Sequence, residues 1–455
     1  MADYPAFLTQ AETATPIYLC TRDEWTADPD LPEALHNAAM AQAFAAGAGE
    51  RVLLAGEGGR LSGVLFGLGA GGDALAVAAL SARLPEGAYE IVAPGPLSMG
   101  QIAAGWADGA YRFSRYLKNP SKPPRLLLSQ DADPTALINE ARAIHRLRDM
   151  VNTPAEDMGP AEIQGQISDL AERFGATLET LTGDALLAEN YPMVHAVGRA
   201  GPLAPRMMQL SWGSSAHPEL AIVGKGVAFD TGGLNLKTGN YMRLMKKDMG
   251  GAAHAIALAE LVMAGNVPVH LKLLVPAVEN AISATAFRPG DILDSRKGLT
   301  VEIDNTDAEG RLILADALTR ASESDPDLII DFATLTGAAR VALGPDLAPF
   351  YTDDDAVADA LLEGAERSGD PIWRMPLWDA YLANLKSPIA DLVNAASDGM
   401  AGSIVAGIFL KQFVDAPRWV HLDVWAWRKG KYGRPEGGAA CGLRACWAML
   451  QARYT

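Results

Sequence analysis

The sequence predicts an α/β protein in which a long helix joins a small N-terminal α/β domain to a larger C-terminal α/β domain with a mostly parallel central sheet. Three observations predict this fold. Short apolar runs alternate with Gly-rich turns over residues 1–130, and one helical pattern covers residues 131–152. Over residues 153–455, buried strands alternate with helices of roughly 10 to 15 residues, which is typical of βαβ units.

The N-terminal domain is predicted from apolar runs bounded by glycine and proline. These runs are "RVLLAG", "SGVLFGLG", "LAVAALSARL", "YEIVAPG" and "RLLLSQ", the last of which follows the Pro-rich "KNPSKPP". No acidic, histidine or Gly-rich cluster accompanies them. The sequence therefore predicts a small α/β domain and gives no information about its function.

The connecting helix is predicted from apolar residues at helical spacing: Ala136, Ile138, Ala141, Ile144, Leu147 and Met150. Asp133 and Pro134 mark its start, and Pro154 marks its end. His145 is expected on the surface of this helix rather than in a metal site, because no second ligand lies one turn away.

The C-terminal domain is predicted from strands that alternate with helices. The predicted strands are "LAIVGKG", "VHLKLLVPAV", "LTVEI", "DLIIDFATLTG" and "WVHLDVWAW", and the predicted helices are "MGGAAHAIALAELVMAG" and "RLILADALTRASE". Ligands of a parallel sheet bind beyond the carboxyl ends of its strands. The residues directly after each strand are therefore the candidates for a site.

Composition narrows the functional classes. The charge of 38 − 55 = −17 repels nucleic-acid phosphates and anionic lipid, so a nucleic-acid or membrane role is not expected. No apolar run approaches the roughly 18 residues of a membrane span, and the N-terminus lacks the basic start of a secretory signal. Cys20, Cys441 and Cys446 form no CxxC pair and are expected as reduced thiols of a cytoplasmic protein.

Acidic and basic residues gather after two predicted strands. The group consists of Lys225, Asp230, Lys237 and Asp248 after "LAIVG", and of Asp307 and Glu309 after "LTVEI". Alone, the segment "DNTDAEGR" could be a solvated turn, a helix N-cap or a calcium-type loop. Because carboxyl ends of parallel strands share one edge, the two sets are expected to meet.

Four carboxylates at one edge raise one another's pKa unless cations compensate their charge. Two divalent ions bridged by carboxylates would provide that compensation, polarise a carbonyl and activate water, which is the chemistry of metal-assisted hydrolysis. A salt-bridged loop network is the alternative. The sequence lacks HExxH, which excludes the single-zinc helix motif.

Several blocks carry a family likeness. The blocks "VGKGVAFDTGGLNLK", "KKDMGGAA", "NTDAEGRLILADAL" and "ATLTGA" resemble, in order and spacing, those of the leucyl aminopeptidase family of M17 cocatalytic metallopeptidases, as does the interdomain "RDMVNTPAEDMGP". The likeness covers roughly residues 140 to 455. It implies that residues 153–455 form a catalytic two-metal peptidase domain.

The resemblance implies two divalent metal ions per subunit, manganese or zinc. Asp230 and Glu309 would bridge them, Asp307 would complete one site, and Lys225 with Asp248 would complete the other. Lys225 would then be a neutral amine, with its pKa depressed by the ions. The alternative for Lys225 is a simple ion pair with Asp230.

Two further residues match catalytic positions of the family. Lys237 resembles the lysine that polarises the scissile carbonyl and stabilises the oxyanion. Arg311 matches the arginine whose planar fork holds a bicarbonate ion, which relays the proton of the attacking water. The alternatives are a surface lysine beside acids and, for Arg311, a first-turn helix residue paired with Glu309.

The resemblance further implies small peptides with a free N-terminus as substrates, an apolar P1 side chain, and a homohexamer. The substrate pocket maps onto Met245, Asn305, Thr334, Leu335 and Gly337. Met245 could instead be plain core packing.

The sequence departs from the family pattern at Thr238 and Arg243, where a proline and an acid are more usual. It departs again at Trp425, where the family usually has a small residue. We expect Trp425 to narrow or reshape the P1 pocket; core or subunit-contact packing is its alternative.

Two other functions remain open. A non-catalytic scaffold or binding protein of the same fold is disfavoured by the intact set of candidate residues. A two-metal phosphoesterase is disfavoured by the lysine ligand and by the scattered histidines, of which only His421 lies near the expected edge. His254 is expected to be packed or partly exposed on its helix rather than to bind metal.

Overall fold

The structure is a computed structural model that describes residues 4–128, 133–430 and 434–455. It consists of two compact units, Met1–His145 with Lys429–Glu436, and Arg146–Arg428 with Gly437–Thr455. The predicted α/β class is confirmed. The predicted boundary between residues 130 and 131 lies outside the described residues, and the other domain boundaries stay predictions.

The first unit contains a six-stranded sheet of order β1-β6-β5-β2-β4-β3, parallel except where β3 pairs with β4. Its strands are β1 (Phe7–Leu8), β2 (Thr15–Thr21), β3 (Arg51–Ala55), β4 (Leu61–Gly69), β5 (Ala88–Ala93) and β6 (Arg125–Leu127). Its helices are α1 (Arg22–Thr26), α2 (Glu33–Ala41), α3 (Ala78–Ser81) and α4 (Met99–Ala110).

The predicted long helix is α5 (Pro134–Asn152). Its apolar residues Ile144, Leu147 and Met150 are buried, as the helical spacing predicts. His145 is half buried rather than on the surface of the helix as expected: its Nδ1 lies 2.7 Å from the Tyr4 hydroxyl and its Nε2 lies 3.0 Å from the carbonyl oxygen of Ala107. Polar partners within reach of both ring nitrogens explain why it faces inward.

The second unit is built on a nine-stranded sheet of order β16-β15-β18-β14-β9-β11-β8-β7, with β10 paired to β11. Its strands are β7 (Thr177–Thr182), β8 (Arg206–Trp212), β9 (Glu219–Gly224), β10 (Gly226–Asp230), β11 (His270–Asn280), β14 (Leu328–Ala333), β15 (Ala348–Tyr351), β16 (Ile372–Arg374) and β18 (Trp419–Asp423). The central pairs β18–β14, β14–β9 and β9–β11 are parallel, as predicted.

Two smaller sheets accompany the large one. One joins β12 (Ile292–Asp294), β13 (Thr300–Glu302) and β17 (Leu392–Val393), and the other pairs β19 (Trp427–Arg428) with β20 (Gly437–Gly438). The predicted strand "WVHLDVWAW" is therefore two strands. The chain turns between them at Ala426, whose φ is +57°.

The helices of this unit are α6 (Pro160–Phe174), α7 (Ala185–Ala188), α8 (Pro192–Gly198), α9 (Gly250–Ala264), α10 (Glu309–Ser322), α11 (Gly337–Leu343), α12 (Asp355–Ser368), α13 (Gly402–Lys411) and α14 (Leu443–Tyr454). Helix α9 is buried along almost its whole length, as expected for a helix that is apolar on every face. Gly251 permits this packing, because a Cβ there would lie 2.8 Å from the Cα of Ala333 in β14.

His254 is a buried side chain of α9, as predicted, and it is stacked on Phe332. Its Nε2 accepts a hydrogen bond from the backbone N–H of Cys441 at 3.0 Å, so the proton lies on Nδ1, which donates to the carbonyl oxygen of Gly250 at 2.6 Å. Burial lowers the pKa of His254 to about 4. Protonation of Nε2 would break the contact with Cys441.

The pKa of His254 predicts a pH effect on stability. The lowered folded pKa favours the neutral form, so its contribution is complete above about pH 6.5 and is lost as pH falls toward 4. We expect His254→Gln to flatten the dependence on pH of the unfolding free energy between pH 6.5 and 5 by up to about 1.4 kcal/mol per pH unit. Denaturant unfolding measures it, with the exposed His217→Gln as control. Equal slopes in wild type and His254→Gln would contradict the prediction.

Candidate active site

The candidate site lies at the carboxyl ends of the central strands of the large sheet. Lys225 follows β9 directly, and Asp230, Asn280 and Asp423 are the last residues of β10, β11 and β18. Strands β9, β10, β11 and β18 all run in the same direction, because each is linked to the next through parallel pairs that include β14. Their carboxyl ends therefore meet at one edge of the sheet. The predicted location after buried strands is correct for Lys225 and Asp230.

The route by which Asp307 and Glu309 reach this edge differs from the prediction. Strand β13, which contains most of "LTVEI", belongs to the small three-stranded sheet and not to the central one. Glu309 is the first residue of α10. The loop before it is held by Thr306, whose hydroxyl donates to the carbonyl oxygen of Gly232 at 2.6 Å. A helix start, and not a strand end, therefore delivers these two acids.

Three carboxylates converge closely. One oxygen each of Asp230, Asp307 and Glu309 lies within 4.8 Å of the other two. Asp230 and Glu309 are buried, whereas Asp307 is half buried. The described histidines contribute no ligand to this cluster.

Lys225 connects the fourth carboxylate to this cluster. Its Nζ lies 2.6 Å from Oδ2 of Asp248 and 3.1 Å from Oε1 of Glu309, and it donates to the carbonyl oxygen of Thr334 at 2.8 Å. Within the described residues it forms no ion pair with Asp230, so the simple pair considered from the sequence is not formed. Lys225 is only 3% exposed.

Lys237 lies on the other side of the carboxylates. Its Nζ is 2.7 Å from Oδ2 of Asp230 and also pairs with Oδ1 of Asp307. The two lysines thus divide the four acids between them. Lys237 is half buried among these acids, which excludes the interpretation as an ordinary surface lysine.

The pKa values follow from burial and charge. Burial and the neighbouring acids raise the pKa of Asp230 and Glu309. Burial opposes ionisation of Asp248 as well, but Lys225 and Lys247 outweigh it and lower its pKa. Burial would lower the pKa of Lys225, but Asp248, Glu309 and Asp230 raise it instead. The carboxylates therefore carry more negative charge than the neighbouring lysines neutralise.

These residues fit divalent metal ions. Asp230, Asp248, Asp307 and Glu309 bring up to four negative charges, and Lys225, Lys237 and Lys247 bring up to three positive ones, which leaves one negative charge at the buried edge. Carboxylate oxygens with one amine form a donor set that suits manganese or zinc. Lys225 can join such a set only as a neutral amine, so binding an ion there must release its proton.

Two asparagines that the sequence analysis missed support the site. Asn280 donates through Nδ2 to Oδ1 of Asp230 at 2.8 Å and to the carbonyl oxygen of Thr306 at 3.1 Å. Asn394 accepts on Oδ1 from the backbone N–H groups of Asp304 and Asn305. Asn280 ends a parallel strand, and that position could have identified it. Nothing in the sequence near Asn394 indicates its role.

Arg311 is buried below the acids and does not form the ion pair with Glu309 considered from the sequence. Its Nη1 donates to the carbonyl oxygen of Asn394 at 2.6 Å, and its guanidinium lies 5.9 Å from the ring centre of Phe409. Among the described residues its Nε has no hydrogen-bond partner. Burial lowers its pKa to about 10. A buried guanidinium with an unused donor is a suitable binding group for a small anion.

The residues predicted to line the substrate pocket lie on different segments near the carboxylate edge. Met245 is buried in the turn that contains Asp248, and Thr334 donates through its hydroxyl to the carbonyl oxygen of Asp248 at 2.9 Å. The amide of Leu335 donates to Asp423 at 2.9 Å. Gly337 begins α11, and Oδ1 of Asn305 accepts from the amide of Asp307 at 2.8 Å. Their role in binding substrate stays a prediction.

Trp425 is half buried and contacts the cationic side chains of Lys247 and Arg340. Thr238 and Arg243 are exposed. Neither departure from the family pattern removes one of the carboxylates or lysines described above.

Comparison with known proteins identifies the same family as the sequence motifs. The model of the cytosol aminopeptidase family catalytic domain matches residues 145–447, and that of the M17 aminopeptidase N-terminal domain matches residues 15–129. The chain belongs to the cytosol aminopeptidase family. The predicted family and enzyme class, a peptidase, are confirmed.

Individual relatives agree with this family. The probable cytosol aminopeptidase of Syntrophotalea carbinolica is 39% identical over 383 residues, covering 79% of this chain and 77% of the relative. The crystal structure of the cytosol aminopeptidase from Coxiella burnetii has 40% identity and a TM-score of 0.92, over 98% of both chains. The bottromycin maturation enzyme BotP in complex with Mn has 30% identity and a TM-score of 0.86, over 97% of this chain and 100% of BotP.

Within the part of the chain that the structure describes, no helix combines the length and the apolar character needed to cross a membrane. The three cysteines are buried and free, as expected from the sequence.

The start of α10 gives a test of the Lys225 position. A Cβ on Gly310 would lie 2.7 Å from both Cδ and Nζ of Lys225, so Gly310→Ala must displace this lysine. We expect Gly310→Ala to weaken the stabilisation of the protein by Mn²⁺ by about tenfold in apparent Kd, measured by thermal unfolding against Mn²⁺ concentration. Gly165→Ala on α6 is the control, since nothing lies within 4 Å of its Cβ. Equal Mn²⁺ titrations of the two variants would show that Lys225 does not contribute to metal binding.

Proposed function

We propose that this protein is a two-metal aminopeptidase that removes the N-terminal residue of small peptides, with manganese or zinc as the working metal. The observation that carries the proposal is the buried edge at which four carboxylates share two lysines. Homologues named cytosol aminopeptidase support a cytoplasmic location. The homohexamer and the apolar P1 preference are expectations from the family.

The metal ligands in this proposal are Lys225, Asp230, Asp248, Asp307 and Glu309. Two divalent ions in this set would bind the free α-amino group of the peptide, polarise its first carbonyl and lower the pKa of water. The remaining chemistry belongs to the side chains. Because the α-amino group of the peptide would be bound at the carboxylate edge, only its first peptide bond would lie within reach of the reacting groups. This geometry accounts for exopeptidase specificity.

Lys237 is the electrophile in this proposal. Its ammonium group reaches Asp230 and Asp307, and these acids, outweighing the effect of burial, raise its pKa, so it stays protonated. A protonated lysine at this place can donate a hydrogen bond to the scissile carbonyl and stabilise the oxyanion that develops there.

Arg311 is the anion-binding residue. Among the residues that the structure describes, its buried Nε has no hydrogen-bond partner, and its Nη1 is fixed by Asn394. A bicarbonate ion held there would accept the proton of the attacking water and pass it to the leaving amine. The anchoring of Nη1 limits rotation of the guanidinium, which favours a single orientation for that anion.

A non-catalytic scaffold of the same fold is the second candidate. A scaffold could bind metal ions at this edge without hydrolysing a substrate, so metal-dependent turnover distinguishes the two candidates.

The proposed activity is tested with a panel of aminoacyl-p-nitroanilides and short peptides, using metal-stripped protein restored with Mn²⁺ or Zn²⁺. We expect metal-dependent release of the N-terminal residue only. Glu309→Ala should abolish it, and Lys237→Met should lower kcat by about 10²-fold or more, as for loss of an oxyanion donor. The exposed Asp304→Asn is the matched control. No turnover with any metal, although two ions bind per chain, would favour the scaffold.

The effect of Trp425 on the P1 pocket is tested separately. If Trp425 narrows the pocket, Trp425→Ala should raise kcat/KM for Phe relative to Ala substrates by about tenfold, because the removed indole leaves space for a larger side chain. Unchanged relative kcat/KM values for Ala, Leu and Phe substrates would indicate that Trp425 only fills the core.

A further inference from the structure

A small recess lies beside the candidate active site. Its polar lining includes Thr336, Arg340, Asp423 and Trp425, and its apolar lining includes Pro345. The recess is linked to the site through the segment that follows β14. Residues 335 and 336 of that segment donate backbone hydrogen bonds to Asp423, and the residue before them contacts both Lys225 and Asp248.

Two cationic side chains contact the indole of Trp425. Nζ of Lys247 lies 3.9 Å from the ring centre, and the guanidinium carbon of Arg340 lies 4.2 Å from it. An indole attracts cations to its face by its quadrupole. Lys247 is buried and lies 3.8 Å from Asp248, whereas Arg340 lines the recess. The recess thus has a positive group fixed on an aromatic surface.

The Arg340 side chain forms no ion pair within the described part of the chain. No hydrogen bond or ion pair of its side chain is formed there, and the contact with Trp425 offers its N–H donors no oxygen acceptor. Asp423, the carboxylate of the recess, is engaged elsewhere: it accepts from the amides of Leu335 and Thr336 and from the hydroxyl of Thr336 at 2.6 Å. An arginine fork is therefore available to a ligand.

We propose that Arg340 is a specificity-determining residue that binds a carboxylate of the substrate peptide. This inference rests on the proposed aminopeptidase function. Carboxylates are the anions that peptides carry, and a guanidinium fork binds them through two parallel hydrogen bonds. Two sources are available: the side chain of an acidic N-terminal residue, or the C-terminal carboxylate of a short peptide. In either case the recess would bind a charged group of the peptide, in addition to the apolar contacts that Met245 and Leu335 would make with the substrate.

The test compares substrates that differ only in the charge of one group. Glu-p-nitroanilide against Gln-p-nitroanilide tests the side chain, and Leu-Ala against Leu-Ala amide tests the C-terminus. We expect wild type to favour the carboxylate member of one pair by about tenfold in kcat/KM, the size of one charge-assisted hydrogen bond. Arg340→Gln should remove this preference while the rate on Leu-p-nitroanilide stays within about twofold.

The control is Arg367→Gln, which removes the same charge from an exposed position on α12 and should keep the preference. Arg340→Lys retains the charge without the fork and should retain only part of the preference. This variant replaces Arg340→Gln in the test if Arg340→Gln unfolds. The pair that shows the preference identifies the source of the carboxylate. No preference in either pair, or a preference that persists in Arg340→Gln, would overturn the inference.

Binding without turnover separates this inference from the proposed function. Calorimetric titration of Glu-Ala and Gln-Ala, and of Leu-Ala and its amide, into the Lys237→Met protein repeats both comparisons at equilibrium. If metal-loaded wild type fails to hydrolyse Leu-p-nitroanilide, the proposed function fails, and the titration still decides whether Arg340 binds a carboxylate.

Discussion

The second unit depends on one electrostatic constraint, the confinement of four carboxylates at a buried edge of the sheet. Ionised acids at such short separations destabilise one another, and burial increases the effect because little water screens the charges. Lys225 and Lys237 each approach two of the acids and reduce the repulsion without removing it. The same imbalance that makes the edge unfavourable in isolation is the physical basis of the proposed binding of divalent cations. Charge compensation is therefore both the structural problem of this edge and the origin of its chemistry.

Close packing holds the charged groups in this arrangement. Gly310 lets Lys225 pass directly against the first turn of α10, and Gly251 lets α9 approach β14. Asn280 fixes Asp230 and the loop at Thr306 with one amide group. Because each of these contacts joins segments far apart in the chain, the geometry of the site is a property of the whole unit and not of any single motif.

The sequence could predict those parts of the site that depend on local position. Lys225 and Asp230 follow buried strands, and parallel strands place such residues at one edge whatever the details of the loops. The sheet membership of β13 could not be predicted, since a strand of three residues is defined by its partner near Leu392. The support of Arg311 by Asn394 and the position of Arg340 on Trp425 depend in the same way on tertiary contacts. The proposed ligand set came from the resemblance to a family, because motifs shared within a family reflect the tertiary contacts of its fold.

Strand β18 lies in the interior of the large sheet, between β14 and β15, although its residues 419–423 follow both of these strands by more than 65 residues in the sequence. Its last residue, Asp423, fixes the backbone after β14, and the segment after it reaches back to His254 on α9 through Cys441. During synthesis on the ribosome, β9, β11 and β14 emerge well before this strand. A nascent chain consequently has the four clustered acids but an open sheet beside them, so the candidate active site is completed only after β18 has emerged.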